Sequence, residues 1–135
     1  MWPRINDMRT LELGTPGSLR DRLSALVLAG TKTATATLLA EYAEEEEALE
    51  TPGEVLALLD SHGAVLAELR VTAVTTVPFG EVPWSFAEAE GEGYTDVAHW
   101  RRVHADYWQD SEGRVVTDDT PVVCLHFTRT TPASG

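Results

Sequence analysis

The sequence predicts an α+β protein in which helices lie outside a small mixed or barrel-like β-sheet. Its 135 residues match the usual size of one domain. The composition, with 43% hydrophobic and 24% charged residues, is typical of globular proteins. The order of elements lacks the strict βαβ alternation of a doubly wound parallel sheet. Because no linker divides the chain, we expect residues 1–135 to form one domain with its core over about 18–130.

The first half of the chain is expected to hold two helices on either side of an extended segment. Residues 1–15 carry no regular pattern and are expected to be irregular. Ser18 is a suitable N-cap for a helix that Gly30 ends. The alternating threonines of residues 31–37 favour an extended segment, because β-branched residues fit helix interiors poorly. A short helix is expected within residues 38–49, with its run of four glutamates facing solvent.

The second half is expected to hold two strands, two helices and a closing strand. Residues 55–60 and 64–77 are predicted strands joined by a tight turn, and the second alternates regularly in polarity. Helices are expected over 85–90 and from about 96 to 109, where apolar residues recur at helical spacing. The apolar residues of 120–130 predict the closing strand, and the tail after it is expected to be frayed.

The charge of the chain limits the classes of partner. It has 22 acidic and 10 basic residues, which gives a net charge of −12 at pH 7. Long nucleic acids bind clustered Lys and Arg, so we expect no DNA partner, whereas a pocket for a nucleoside or short RNA is compatible with this charge. No apolar run suits a membrane span or a signal segment, so no membrane partner is expected. With its single cysteine, Cys124, the chain is predicted to be cytoplasmic.

Lys32 belongs to a chain whose other basic residues are all arginines. Arginine-rich codon usage would explain this ratio equally well. However, a buried lysine can lower its pKa and act as a base, which arginine cannot do. Lys32 stands among the hydroxyls of residues 31–37, where its amine could activate a hydroxyl or a water molecule. The alternative for this segment is a sheet edge with a solvated lysine.

Carboxylates are concentrated in a second segment, residues 86–96. They could supply a general acid or base, or ligands for a hard cation, and the alternative is an acidic helix end at the surface. Arg101 and Arg102 follow and could pair with them. His99 and His104 are five residues apart, on different faces of one helix, and are not spaced as a metal-binding pair. The sequence has no phosphate-binding glycine loop, cysteine pair or nucleophile elbow.

Four segments, in this order, carry a resemblance to a known family: residues 30–35 (GTKTAT), 78–82 (PFGEV), 87–93 (AEAEGEG), and Trp100 and Arg101 with His104. Together they resemble the ASCH domain, in particular its small stand-alone bacterial form, over about residues 18–130. The resemblance implies a PUA-like fold, a small mixed β-barrel flanked by helices. It also implies an RNA or modified-nucleoside ligand in a cleft.

One branch of this family hydrolyses the acetamide of N(4)-acetylcytidine with a lysine, a threonine three residues later and a glutamate. The matching positions here are Lys32, Thr35 and Glu90, and no cofactor is implied. In this reading Lys32 takes the proton from Thr35, Glu90 passes a proton to the leaving amine, and residues 31–37 stabilise the oxyanion. The resemblance further implies a set of substrate-binding residues: Thr33, Thr37, Tyr42, Glu92, Trp100, Arg101 and His104. By its helical spacing Trp100 also suits core packing.

Two alternative functions come with the same resemblance. One is a divalent-metal-dependent ribonuclease in which the cation is held by Glu90, Glu92 and Asp96. The other is a non-catalytic RNA- or nucleotide-binding module in which phosphate is contacted by Lys32, Arg101 and Arg102. Two departures from the family pattern bear on these alternatives. Tyr94 stands where an acidic residue often follows Gly-Glu-Gly, and the acidic stretch 41–50 lengthens the chain.

Overall fold

A computed structural model describes residues 1–130 of the chain, and the tail predicted to be frayed lies outside the described residues. The strands are β1 (Arg4–Ile5), β2 (Met8–Leu11), β3 (Ala34–Leu38), β4 (Val55–Leu59), β5 (Val65–Pro78) and β6 (Pro121–Arg129). The helices are α1 (Ser18–Leu28), α2 (Leu39–Glu44), α3 (Trp84–Ala89) and α4 (Val97–Glu112). In this described part, no helix is long and apolar enough to cross a bilayer.

All six strands form one mixed sheet in the order β1-β2-β4-β5-β6-β3, which confirms the α+β class. Every neighbouring pair is antiparallel except β2 and β4, which are parallel. The expected barrel is incomplete, because the sheet stays open between its two edge strands, β1 and β3. With only two residues, β1 is too short to form a ladder that would close the sheet.

Two hydrophobic clusters cover the two faces of the sheet. Aromatic residues of α3, α4 and the turn after β5, among them Phe86 and Trp100, form the first cluster with Val122 of β6. Leu23 of α1 joins the second cluster, which contains Phe127 of β6. The alternation of side chains along β6 explains why one strand contributes to both faces. Strand β3 is the edge strand beside β6. The cluster that contains α4 covers one face of the sheet, and the cluster that contains α1 covers the other.

The N-terminal segment is regular where the sequence predicted irregular chain. Its strand β2 pairs in parallel with β4, with Arg9 opposite Leu56. Arg9 is buried, and its guanidinium donates to the Ala48 carbonyl at 2.7 Å. These strands were missed because two to four residues are too few to show an alternating pattern. The other predicted elements are confirmed with small shifts: α2 ends at Glu44, and Gly17 rather than Ser18 is the N-cap of α1.

The run of four glutamates at the end of α2, residues 44–47, does more than face solvent, which corrects a second expectation. Glu47 accepts hydrogen bonds from the Trp2 backbone at 2.8 Å and from two Arg4 nitrogens at 2.8 and 2.9 Å. The hydrogen bond from Arg4 lowers the pKa of Glu47 to about 2. Glu44 pairs with Arg114 beyond the end of α4 at 2.7 Å. The run therefore fastens both the N-terminal segment and the chain after α4 to α2.

Candidate active site

The loop after α3 packs against the segment that leads into β3. The Thr33 backbone N–H donates to the Ala89 carbonyl at 2.9 Å. Gly91 has a φ of +67°, and a Cβ added to it would lie 2.1 Å from the Thr31 carbonyl oxygen. Only glycine fits this contact, because it has no Cβ and tolerates a positive φ. The docking brings the carboxylates on either side of Gly91 next to Lys32.

Lys32 is almost completely buried and pairs with the second of these carboxylates. Its side chain is 2% exposed, and Nζ lies 2.7 Å from Glu92 Oε2. The other oxygen of Glu92 accepts a hydrogen bond from the Tyr94 hydroxyl at 3.0 Å. Burial and the nearby Glu92 raise the pKa of Tyr94, so the phenol keeps its proton. The tyrosine that departs from the family pattern thus holds Glu92 in place for Lys32.

Glu90 is a buried carboxylate without well-formed hydrogen bonds. Its side chain is 1% exposed, and within residues 1–130 neither oxygen accepts a hydrogen bond from a backbone N–H or a hydroxyl. His104 Nε2 makes a close ion pair with Oε2 at 3.1 Å. Burial raises the pKa of Glu90, but the charges of Lys32 and His104 outweigh burial and hold it below the ordinary value. An ionised carboxylate with so few hydrogen-bond donors is costly in a protein interior, so its position at this cavity points to a function.

His104 is held so that one ring nitrogen faces Glu90. Its Nδ1 lies 3.0 Å from the carbonyl oxygen of Trp100, one turn earlier on α4. The ring stacks on the Trp100 indole with 4.1 Å between centroids. Because a carbonyl can only accept, Nδ1 carries a hydrogen, and any further proton lies between Nε2 and the Glu90 carboxylate. The pair can therefore hold one exchangeable proton next to the cavity.

A cleft with two lobes lies beside β3. The lysine lobe has a volume of about 260 Å³ and is lined by Lys32, Glu90, Glu92, Tyr94, His99 and His104. The acidic lobe has a volume of about 320 Å³ and is lined by Trp2, Glu12, Glu41, Tyr42, Glu50 and Glu112. Both lobes are bordered by Leu13, Gly14, Thr35, Ala36, Tyr107 and Trp108. Thr35 therefore stands at the junction, in reach of a ligand that spans both.

The walls of the acidic lobe are polar and fixed. Tyr42 donates to Glu50 Oε1 at 2.7 Å, and Arg9 lies 3.8 Å from the other oxygen of Glu50. Glu41 accepts from the Leu38 backbone at 3.2 Å, at the start of α2. Burial, together with a hydrogen bond and repulsion from Glu112, raises the pKa of Glu41 to about 8. Glu41 therefore keeps its proton near neutral pH, beside Glu112 of α4.

The structure brings most of the predicted site residues together. Lys32, Thr35, Glu90, Glu92 and His104 line the lysine lobe, while Thr37 and Tyr42 line the acidic lobe with Thr35. The predicted oxyanion donors at the start of residues 31–37 are already used, since the Thr31 and Lys32 backbone N–H groups donate to the Leu26 carbonyl.

Three predicted substrate-binding residues lie outside both lobes. Thr33 is exposed, and its hydroxyl donates to the Ala89 carbonyl at 3.3 Å. Trp100 is fully buried beneath His104, as its helical spacing suggested. Arg101 points away and donates to the carbonyls of Gly80 and Val82 at 2.9 and 3.2 Å. These residues support the walls of the cleft instead of facing a ligand.

The carboxylates proposed for a cation are used in other ways. Glu92 is paired with Lys32, and Asp96 is the N-cap of α4, where it accepts from the His99 backbone at 2.7 Å. Within residues 1–130, no three His, Cys, Asp or Glu side chains are grouped as metal ligands. His99 and His104, predicted to lie on different helix faces, both border the lysine lobe and both pack against the Tyr94 ring.

Several cleft residues were not predicted from the sequence. Leu13 and Gly14 come from the segment predicted to be irregular, and Tyr107 and Trp108 come from the helix predicted to end near residue 109, where no site residue beyond His104 was predicted. The acidic lobe draws on the N-terminal segment, α2 and the end of α4. The sequence offered one signal for this lobe, the excess of acidic residues. That excess does not show that Glu41 and Glu112, far apart in the chain, line the same cavity.

The fold and site place the chain within a known family. The sequence model of the ASCH domain matches residues 10–130, so the chain belongs to the ASCH domain family. It is similar to the crystal structure of protein EF3133 from Enterococcus faecalis, with 32% identity and a TM-score of 0.77 over 88% of this chain and 74% of that one.

Two further crystal structures show the same fold at lower identity. The ASCH domain from Lactobacillus crispatus JV V101 is 24% identical, with a TM-score of 0.71 over 82% of this chain and 71% of that one. A mutant form of the ZmASCH protein from Zymomonas mobilis is 12% identical, with a TM-score of 0.53 over 80% of this chain and 63% of that one. No sequence of a curated protein matches the chain.

We predict that Gly91→Ala disrupts the site more than Gly93→Ala. Both glycines have a positive φ, but only the Cβ added at Gly91 meets the Thr31 backbone. The φ strain alone should lower the free energy of unfolding by about 1 kcal/mol in Gly93→Ala. The added backbone clash should bring the loss to about 3 kcal/mol in Gly91→Ala. Urea unfolding of both variants measures the difference, and equal losses would contradict the docking account.

We predict that Glu41→Gln becomes more stabilising as the pH rises. A carboxyl with a pKa of about 8 in the folded state binds its proton more tightly there than in the unfolded chain. The wild-type carboxyl therefore stabilises the fold most below its unfolded pKa, near 4.5, and loses that contribution as the pH rises through 8. Glutamine keeps the hydrogen bond to Leu38 and has no proton to lose.

Urea unfolding at pH 5, 7 and 9 tests this sign. Glu41→Gln should gain stability relative to wild type between pH 5 and pH 9. Glu46→Gln removes the same charge from an exposed position nearby and should show no such trend. A difference between Glu41→Gln and wild type that does not change with pH would contradict the raised pKa of Glu41.

Proposed function

We propose that this ASCH protein is a hydrolase that cleaves the exocyclic amide of a modified pyrimidine nucleoside, as in N(4)-acetylcytidine. The observation that carries the proposal is the Glu90 carboxylate, which is 1% exposed, is paired with His104 and lies at the wall of a cavity that also contains Lys32 and Thr35. The amide of an N(4)-acylated cytosine has an N–H that can donate to Glu90. It also has a carbonyl carbon that the Thr35 hydroxyl can attack.

The first step joins the substrate to Thr35. Lys32 enters as the neutral amine after passing its proton to Glu92, 2.7 Å away. It then takes the proton of the Thr35 hydroxyl while Oγ forms a bond to the amide carbon. The carbonyl π electrons move to oxygen, which gives a tetrahedral oxyanion.

The second step releases the amine and regenerates the hydroxyl. As the carbon–nitrogen bond breaks, a proton passes from His104 Nε2, 3.1 Å from Glu90, through the Glu90 carboxylate to the leaving nitrogen. The proton that Lys32 took from Thr35 then returns to the Glu90–His104 pair, which leaves Lys32 neutral. The acyl group remains as an ester of Thr35. Lys32, now neutral, takes a proton from a water molecule as that water attacks the ester, and the threonine oxygen leaves with this proton from Lys32. Glu92 then returns its proton to Lys32, and the acid product loses its proton to solvent. The products are the free nucleoside amine and a carboxylate.

The environment of the cleft favours an uncharged ligand over RNA phosphate. Lys32 is buried and paired with Glu92, and Arg101 is bonded to backbone carbonyls, so two of the cations considered for phosphate binding are already used. The chain carries a net charge of −12, which opposes the approach of a polyanion. These observations support a nucleoside and not a long RNA as substrate.

We predict that Lys32→Arg stops cytidine release from N(4)-acetylcytidine while the protein stays folded. Arginine keeps the positive charge beside Glu92 but cannot give up its proton, so it cannot act as the base. Lys32→Met should stop turnover too, and should also destabilise the fold by about 3 kcal/mol, because it leaves buried carboxylates without a cation. Chromatography of the products and urea unfolding measure the two effects.

The pair of variants separates a chemical role from a structural one. Arg22→Lys, at the rim of the lysine lobe, exchanges the same two residue types in the opposite direction without touching Glu92. The Arg22→Lys variant should fold normally and keep the pair of Lys32 with Glu92. It therefore controls for the effect of exchanging lysine and arginine in this lobe. Full activity in folded Lys32→Arg would refute the role of Lys32 as a base.

We predict that His104→Gln lowers kcat without a matching rise in KM. A glutamine amide can donate to Glu90 but cannot resupply a proton. Loss of such a general-acid contribution typically reduces a rate by about a hundredfold or more. His99→Gln removes a histidine from the same lobe that does not contact Glu90, so its effect should fall on KM. Steady-state kinetics distinguish the two, and equal kcat in His104→Gln and wild type would contradict the proton supply.

A further inference from the structure

The acidic lobe is much larger than an acetyl group requires. It has a volume of about 320 Å³, against about 260 Å³ for the lysine lobe that holds the reacting groups. An acetyl group adds only one methyl beyond the carbonyl carbon that Thr35 attacks. If the substrate were an acetamide, most of the acidic lobe would have no part in binding it.

The positions of Thr35 and Glu90 determine which part of the substrate enters which lobe. Glu90 lines the lysine lobe and not the acidic lobe. The leaving nitrogen and the pyrimidine attached to it therefore lie on the side of the lysine lobe. Thr35 borders both lobes, so the attacked carbon lies at their junction. The two substituents of an amide extend in opposite directions from the carbon–nitrogen bond. The acyl substituent therefore extends into the acidic lobe.

The walls of the acidic lobe define the chemistry of that substituent. Trp2 and Tyr42 form an edge-to-face pair with 4.9 Å between ring centroids, and such rings bind flat apolar groups well. The carboxyl groups on the walls come from Glu12, Glu41, Glu50 and Glu112. The cation among the lining residues, Arg20, donates to the carbonyls of Leu13 and Gly14. This lobe should accept an aromatic group and repel an anionic one.

We infer that the acidic lobe is an acyl-binding subsite, and that the substrate is a pyrimidine amide whose acyl group is aromatic, larger than acetyl and without negative charge. This inference rests on the proposed amide hydrolysis and specifies its substrate class. It gives the acidic stretch 41–50 a role, because Glu41, Tyr42 and Glu50 all come from it.

The inference is tested with three cytidine amides and the full chain. N(4)-benzoylcytidine should be cleaved with a kcat/KM at least equal to that of N(4)-acetylcytidine. N(4)-succinylcytidine, which carries a carboxylate, should be cleaved at least about tenfold less well than the acetyl compound, because like charges meet in a desolvated lobe. Cleavage of the acetyl compound with little or none of the benzoyl compound would overturn the subsite and leave the hydrolase intact. Cleavage of none would overturn the proposed function and the subsite together.

Two variants locate the effect in the acidic lobe. Trp2→Ala should lower the benzoyl-to-acetyl ratio of kcat/KM by about tenfold, the size expected for one lost aromatic contact. Trp84→Ala is the matched control, because this half-exposed tryptophan begins α3 and lines neither lobe. Glu112→Gln should raise the succinyl-to-acetyl ratio. Folded Trp2→Ala and Glu112→Gln proteins with unchanged ratios would place the acyl group elsewhere and overturn the inference.

Discussion

The ion cluster of Lys32, Glu92, Glu90 and His104 is the constraint on which the cleft depends. Each of these groups loses most of its hydration, with Lys32 at 2% and Glu90 at 1% exposure. Desolvation of this size is tolerated only when opposite charges compensate one another. Removing one member leaves its partner as an uncompensated buried charge. The cluster therefore requires all four side chains to arrive together, although they come from segments far apart in the chain.

The fold satisfies that requirement through a backbone contact. The glycine loop after α3 lies directly on the segment before β3, at a distance that excludes a Cβ at Gly91. One turn of α4 fixes His104 through the Trp100 carbonyl, and the Trp100 ring is itself buried in the core of α3 and α4. Packing and backbone hydrogen bonds thus set the position of each charge. The ion pairs themselves do not have to bring these segments together.

Much of the fold, and the reacting residues of the site, could be predicted from the sequence. Particular elements show why. The alternating threonines before Leu38 predict β3, and the apolar spacing around Trp100 predicts α4, because both patterns are local. The link between Lys32 and Glu90 came from resemblance to a family and not from spacing. Closure of the barrel was the part of the implied fold that did not hold, because the two-residue strand β1 cannot supply a pairing edge.

What the sequence could not show is contact between distant segments. The acidic lobe combines the N-terminal segment, α2 and the end of α4, and nothing in any one of them indicates the others. Glu41 illustrates this, since its pKa depends on Glu112 across the lobe. Arg101 illustrates the converse. Its residue type suits phosphate binding, but its guanidinium is bonded to the backbone around the turn after β5. Residue type alone does not distinguish a binding arginine from a structural one.

The most direct test of the account is the release of cytidine from N(4)-acetylcytidine by wild-type protein and by Thr35→Val, followed by chromatography. Valine has the shape of threonine and lacks the hydroxyl, so the variant keeps the ion cluster and the cleft. The account predicts cytidine release by the wild type and its loss in Thr35→Val at unchanged stability. Release at the wild-type rate by Thr35→Val, or no release by the wild type, would contradict it.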